Sequence, residues 1–310
     1  MPEVILHHYQ LSPFSENIRR VLAFKGIPWR SVETPLLLPK AELTALTGAY
    51  RRAPVMQIGA DVYCDTALIA RRLEQLFPEP AILPSALAGA ATIWEDWTDH
   101  RLVHQVTPAV VVELLEAFPP GFFEDRAKMT PNWSREAFIT AGPHGLEETR
   151  QSLDALAAHL GSSQFLLGDT FTLADAACFN PVGFLRMAPA LLAEIESRPA
   201  LAAWIKRIED FGPGNFRAMS GADALGIARE TELQDTDDIE DTTGDSVTGV
   251  TYQAGDIVSV IADDYGTETL TGKVERVRRN DMTILREDTE LGTVAVHYPR
   301  AGYNITKQSD

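Results

Sequence analysis

Cysteine is nearly absent: 310 residues contain only Cys64 and Cys178. They lie far apart in apolar surroundings, which excludes a disulfide framework and disfavours a cysteine-built metal site. No apolar run reaches the roughly 20 residues that a membrane-spanning helix needs. The N-terminus also lacks a basic stretch followed by an apolar one, so a cytoplasmic protein without a membrane partner is expected. No G-x-G-x-x-G follows the first strand, which argues against a dinucleotide fold. Cations are in deficit as well: 27 Lys and Arg against 44 Asp and Glu leave a formal charge of -17. Nucleic acid is therefore not an expected partner. An anionic ligand would have to be held by local groups such as a helix N-terminus. That is feasible, because surface charge is screened over roughly 8 to 10 Å in physiological salt.

What is present divides the chain by pattern. Val4 to Tyr9 is apolar and β-branched enough for a short buried strand. Ser12-Pro13-Phe14-Ser15 follows, and Phe14, Ile18, Val21, Leu22 and Lys25 then recur at helical spacing. Proline suits a first helical position, and Ser12 before it suits an N-cap. Short strands are expected near 29–33, 55–58 and 62–64, with helices near 42–46 and 66–76, the last stopped by Pro78. Residues 1–80 thus read as a compact β-α-β-α-β-β-α domain.

Residues 85–228 read as a helical bundle. A long amphipathic segment carries Trp94, Trp97, Val103 and Val110, with a bend expected at Pro108. A second helix is expected over 134–160, a third after GDTFTLAD, and a fourth from Pro199. Thr172 and Asp175 have the spacing of a capping box. Residues 229–249 are crowded with Asp, Glu, Thr and Gly and read as an acidic linker. The segments GDIVSVIAD, TLTGKVERV, MTILRE and GTVAVHYPR then alternate as strands, predicting a small SH3-like β-barrel over 250–306. The fold class is multidomain, α/β plus all-α, with this β-barrel at the C-terminus.

Three motifs of the first 80 residues belong together. Ser12 and Ser15 mark the first strand-to-helix turn. Pro54 stands just before a strand, and X-Pro is where a cis bond is cheap; a cis Pro54 would present the backbone of Val55 to a peptide-like ligand. Asp65 and Thr66 open the third helix, where a hydroxyl and free N–H groups suit a carboxylate and Asp65 suits an ammonium group.

With these motifs, and with GDTFTLADAACF in the bundle, residues 4–215 resemble the cytosolic glutathione transferase superfamily in its serine-type, thioredoxin-like form. The resemblance implies glutathione as co-substrate, no metal, a homodimer, and transfer of the glutathione sulfur to an electrophilic or peroxidic apolar substrate. Ser12 matches the hydroxyl that meets the sulfur in serine-type relatives; Ser15 and Tyr9 are the alternative hydroxyls. A thiol of pKa about 8.5 to 9 is mostly neutral at pH 7, so a donor beside it raises the thiolate population. By the same resemblance Val55 pairs with the cysteinyl backbone, Asp65 and Thr66 take the γ-glutamyl end, and Lys40 or Arg52 meets the glycine carboxylate. Trp97, His100 and His104, on the first bundle helix, would shape the second-substrate pocket. The chain departs from the superfamily in its C-terminal β domain and in lacking the cysteine that cysteine-type relatives carry where Ser12 stands.

Other features read more plainly. Cys64 reads as core packing. His7 and His8 are adjacent in a strand and point to opposite faces. Arg278 and Arg279 read as a solvated strand edge. Tyr252, Tyr265, Tyr298 and Tyr303 would have to converge at the surface for the barrel to bind a partner peptide. The competing class of function is a non-enzymatic protein that keeps the fold and binds a partner through it.

Overall fold

Five uncharged or weakly polar residues, Val4–His8, form strand β1, buried along its length, in a computed structural model that describes residues 2–130, 133–233, 251–266 and 268–308. β1 pairs in parallel with β2 (Trp29–Glu33) and antiparallel with β3 (Val55–Ile58), which pairs antiparallel with β4 (Asp61–Cys64). Helices α1 (Pro13–Phe24), α2 (Ala41–Thr47) and α3 (Thr66–Leu76) complete the β-α-β-α-β-β-α order. α1 starts where local chemistry directs it: Pro13 has no N–H to leave unsatisfied, and the Ser12 hydroxyl accepts from the Ser15 N–H at 3.1 Å.

α1 and α3 cover one face of this sheet with Ile18, Leu22, Ile69 and Leu73, and the same apolar cluster continues into the helical region through Leu102, Val106, Leu153 and Trp204. That region comprises α4 (Ala88–Trp97), α5 (Val103–Glu113), α6 (Phe122–Ala127), α7 (Arg135–Leu160), α8 (Leu173–Phe184), α9 (Leu192–Glu196) and α10 (Pro199–Glu209). α7 and α8 start at the capping residues Ser134 and Thr172, and α10 starts with Pro199 at its first position. Between α4 and α5 the irregularity lies at Thr98–Leu102, a π-helical turn in which the Val103 N–H reaches back to the Thr98 carbonyl. Pro108, the expected bend, sits inside α5.

The chain then adds β5 (Phe216–Ala218), parallel to β2, and α11 (Gly221–Glu230), which packs on α2. Arg229 and Glu230 belong to α11, so the acidic linker begins later than expected; its residues 234–249 lie outside the described residues. The C-terminal strands are β6 (Ile257–Ala262), β7 (Leu270–Val277), β8 (Asp281–Asp288), β9 (Gly292–Pro299) and β10 (Tyr303–Lys307), in the order β10-β6-β7-β8-β9.

These strands are not a module held only by a tether. β9 pairs in parallel with β4, joining Ala295–His297 to Asp61–Tyr63, so a single ten-stranded sheet runs through the molecule. The join also carries an apolar core: Leu43, Leu46, Val55 and Val62 pack with Val274, Ile284, Val294 and Val296. Gly48 ends α2 at φ +80°, and a Cβ there would stand 2.6 Å from Leu270 Cδ1. Only glycine lets the helix end approach the C-terminal sheet this closely.

Candidate functional site

The starts of α1, β3 and α3 converge on a cavity of about 770 Å3. Helices α4 and α5 form its opposite wall, and turns of the C-terminal sheet close its third side. Ser12 is 2% exposed at the cap of α1. Its Oγ donates to the Ala53 carbonyl at 3.4 Å, a long contact, and the Ala53–Pro54 bond is cis. The first strand-to-helix turn and the Pro54 loop are thereby brought together.

Across from them, Asp65 caps α3 by accepting from the Ala67 N–H at 2.9 Å. It does so at φ +81°, a conformation for which a short polar side chain is better suited than most. Its other carboxylate oxygen accepts from the Tyr303 hydroxyl at 3.2 Å. Burial pushes the Asp65 pKa up, opposed by the Ala67 N–H, Arg52 and Tyr303. Arg52 itself pairs with Asp264 at 2.7 Å.

Lys40 is buried, with its Nζ donating to the Arg51 carbonyl at 3.0 Å and lying 5.2 Å from the centre of the Tyr9 ring. Burial, with Arg126 and Arg51 nearby, brings its pKa down to about 8. Arg51 and Arg126 share the Asp125 carboxylate, and Arg51 also faces Glu268 at 3.4 Å.

The helical wall is apolar toward α5, with Val103, Val111 and Leu114, and aromatic beyond it, where Phe118 stacks on Phe122 at 4.2 Å. Toward α4 it is acidic. Glu95 pairs with Arg71 at 2.8 Å, and Asp99, in the π turn, has its pKa raised well above the usual carboxylate range by burial and by Glu95, Asp65 and Asp96.

Among the residues singled out from sequence, Ser12, Pro54, Asp65, Thr66, Lys40, Arg52, His100 and His104 all line this one cavity. Tyr9 lines it too. Three others do not. Ser15 lies in the first turn of α1 and is fully buried, its hydroxyl without a hydrogen-bond partner. Val55 stands opposite His7 and Cys64 in the sheet with its side chain in the core, so only its backbone, beside the cis Ala53–Pro54 bond, is left to meet a ligand as expected. Trp97 packs edge-on against Trp94 on the core side of α4, because its helical phase differs from that of Asp96 and His100.

Further expectations are settled by burial. Cys64 is completely buried and its thiol pKa is pushed up, which removes it as a nucleophile. His7 and His8 bond Gln57 and Ser31, each at 2.8 Å, and burial brings both down to about 4. Tyr252, Tyr298 and Tyr303 are core residues, so no exposed groove forms from the four tyrosines. Arg278 and Arg279 line the cavity and are not merely a sheet edge.

Sequence reasoning missed Tyr303, Asp264, Asp99 and Arg72. Tyr303 lies 238 residues from Asp65, so no local spacing links them. The acidic pair Asp263-Asp264 in a strand-to-strand turn was the one available hint.

Residues 6–81 match the family model described as glutathione S-transferase, N-terminal domain, and residues 109–207 match that described as glutathione S-transferase, C-terminal domain. The crystal structure of a GST-like protein from Pseudomonas syringae is 33% identical, with a TM-score of 0.76, over 99% of this chain and 100% of that one. A probable glutathione S-transferase from Nicotiana tabacum is 26% identical over 187 residues, 59% of this chain and 71% of that protein. FtsZ-localized protein A from Caulobacter vibrioides is 24% identical over 188 residues, 56% of this chain and 74% of that protein.

Proposed function

The chain belongs to the glutathione S-transferase family, and from that premise we propose that it binds glutathione as co-substrate, holds the sulfur as thiolate and delivers it to an electrophilic or peroxidic apolar substrate. One observation carries the reading: Ser12, Pro54, Asp65 and Thr66 face one cavity whose other wall is apolar along α5. The Ser12 hydroxyl is the donor to the sulfur. Its present contact to the Ala53 carbonyl is long, so redirecting it costs little. The start of α1 adds its dipole to the same point, and a thiolate is favoured there over a thiol.

Asp65 receives the γ-glutamyl ammonium group, and Thr66 with the start of α3 receives the γ-glutamyl carboxylate. The glycine carboxylate goes to Lys40, since Arg52 is already engaged by Asp264. The thiolate then attacks the electrophile seated on the wall of Val103, Val111 and Leu114, with His100 and His104 at the exposed rim.

Titrating glutathione into the wild type and Ser12→Ala from about pH 5.5 to 9, with thiolate absorbance read in parallel, tests this. The wild type is expected to bind and to show ionised sulfur near neutral pH. The variant should still bind, ionise the sulfur only at higher pH, and conjugate an aryl halide roughly 10- to 100-fold more slowly. Failure of both proteins to bind glutathione would sink the reading. It would turn attention to a partner-binding role, which the relative named for its localisation with FtsZ brings into view.

A further inference from the structure

Arg72 stands seven residues after Asp65, on the same face of α3 and two turns further along. Its side chain lines the cavity yet is only 5% exposed. Nε donates to the Tyr63 hydroxyl at 3.2 Å, and the guanidinium lies 5.5 Å from the centre of that ring. Nη1 is sealed from solvent and has no partner. Among the described residues no carboxylate comes within ion-pair distance of Arg72, although a buried cation ordinarily requires one.

Arg278 and Arg279, before β8, and Arg300, after β9, line the same cavity. Arg300 donates to the carbonyls of Arg278 and Arg279 at 3.3 and 3.0 Å, fixing one turn against the other, and its Nε is buried without a partner. The Tyr63 hydroxyl feels Arg72 most strongly of the charged groups, then Asp61 in the opposite sense, then Arg278. Among the described residues, Asp281 lies 3.5 Å from Arg278, and Asp61 is bound to His297 at 2.8 Å. A chain of net charge -17 thus gathers four guanidinium groups from three segments at one cleft.

We propose that this cleft, between α3 and the turns of the C-terminal sheet, is a binding site for the dianionic phosphate group of a small molecule, distinct from the place of glutathione. Guanidinium forks match phosphate oxygens two at a time, and several of them favour a doubly charged group over a carboxylate.

The test is calorimetric titration of inorganic phosphate into the full chain, with melting temperatures alongside. One saturable site is expected in the wild type. Arg72→Met should weaken it about tenfold, and Arg279→Ala, an exposed position that spares the fold, about threefold. Acetate, and potassium chloride at matched ionic strength, should not reproduce the effect, and saturating glutathione should leave it unchanged. Equal stabilisation by chloride would mean screening alone. Equal binding of acetate, displacement by glutathione, or undiminished phosphate binding in Arg279→Ala would each overturn the proposal, and Arg279→Ala decides should Arg72→Met fail to fold.

Discussion

Lys40 shows how a single environment sets both a charge and a pH dependence. Burial and the cations Arg126 and Arg51 lower its pKa from 10.5 to about 8. The sign follows from proton counting. Between those two values the unfolded chain holds a proton that the folded chain has released, so this group makes stability rise with pH across that window. Below about pH 8 the ammonium form is kept at a cost to folding. The use proposed for that charge is the glycine carboxylate of glutathione. Binding of S-methylglutathione, which has no thiol to titrate, should therefore weaken as pH rises through about 8. In Lys40→Met it should be weaker throughout and flat over the same range. A wild-type affinity that does not change there would refute the assignment.

Helix starts are the elements for which sequence and structure agree best, and α8 shows the reason. Asp175 Oδ2 accepts from the Thr172 N–H at 2.9 Å, and Oδ1 accepts from the Leu166 N–H and from Trp204 Nε1, each at 2.8 Å. One buried carboxylate thus caps a helix, pins the preceding loop and anchors α10. Asp175→Ala removes the cap and strands buried donors, so a loss of about 3 to 5 kcal/mol is expected. Urea unfolding near pH 7 measures it; a loss under about 1 kcal/mol would show that water replaces the carboxylate. The π turn at Thr98–Leu102 was not legible in the same way. It involves neither Pro nor Gly, and its tertiary contact is with α8, where Thr98 Oγ1 and Cys178 Sγ share a hydrogen bond at 2.9 Å.

At the scale of the whole molecule, the C-terminal strands complete both the sheet and the site. They cover the edge of β4, which would otherwise present unpaired backbone groups, and they bury Leu43, Leu46, Val55 and Val62. A chain stopped after residue 233 should therefore aggregate on size-exclusion chromatography, whereas a soluble monomer would show that the thioredoxin-like part stands alone. The same strands supply Tyr303 to Asp65. Its hydroxyl favours the ionised carboxylate, so Tyr303→Phe should raise the Asp65 pKa further. The acidic limb of glutathione binding should then move to higher pH, with the alkaline limb unmoved. An unshifted acidic limb would mean that the contact is only structural.

Much of the fold and half of the site could be read from the sequence, because those features are local. Ser12 before Pro13, Thr172 before Asp175, and Asp65 before α3 each satisfy backbone groups within three residues of themselves. The exclusion of Ser15 and Trp97 from the cavity needed the true phase of each helix against its neighbours, which periodicity gives only approximately. The rest was decided by tertiary structure alone. The β4–β9 pairing is parallel and joins strands over two hundred residues apart, so no hairpin turn announces it. Tyr303 on Asp65, Asp264 on Arg52 and the arginines around Tyr63 are consequences of that one pairing, and a linear pattern carries no record of which distant charges a sheet will bring together.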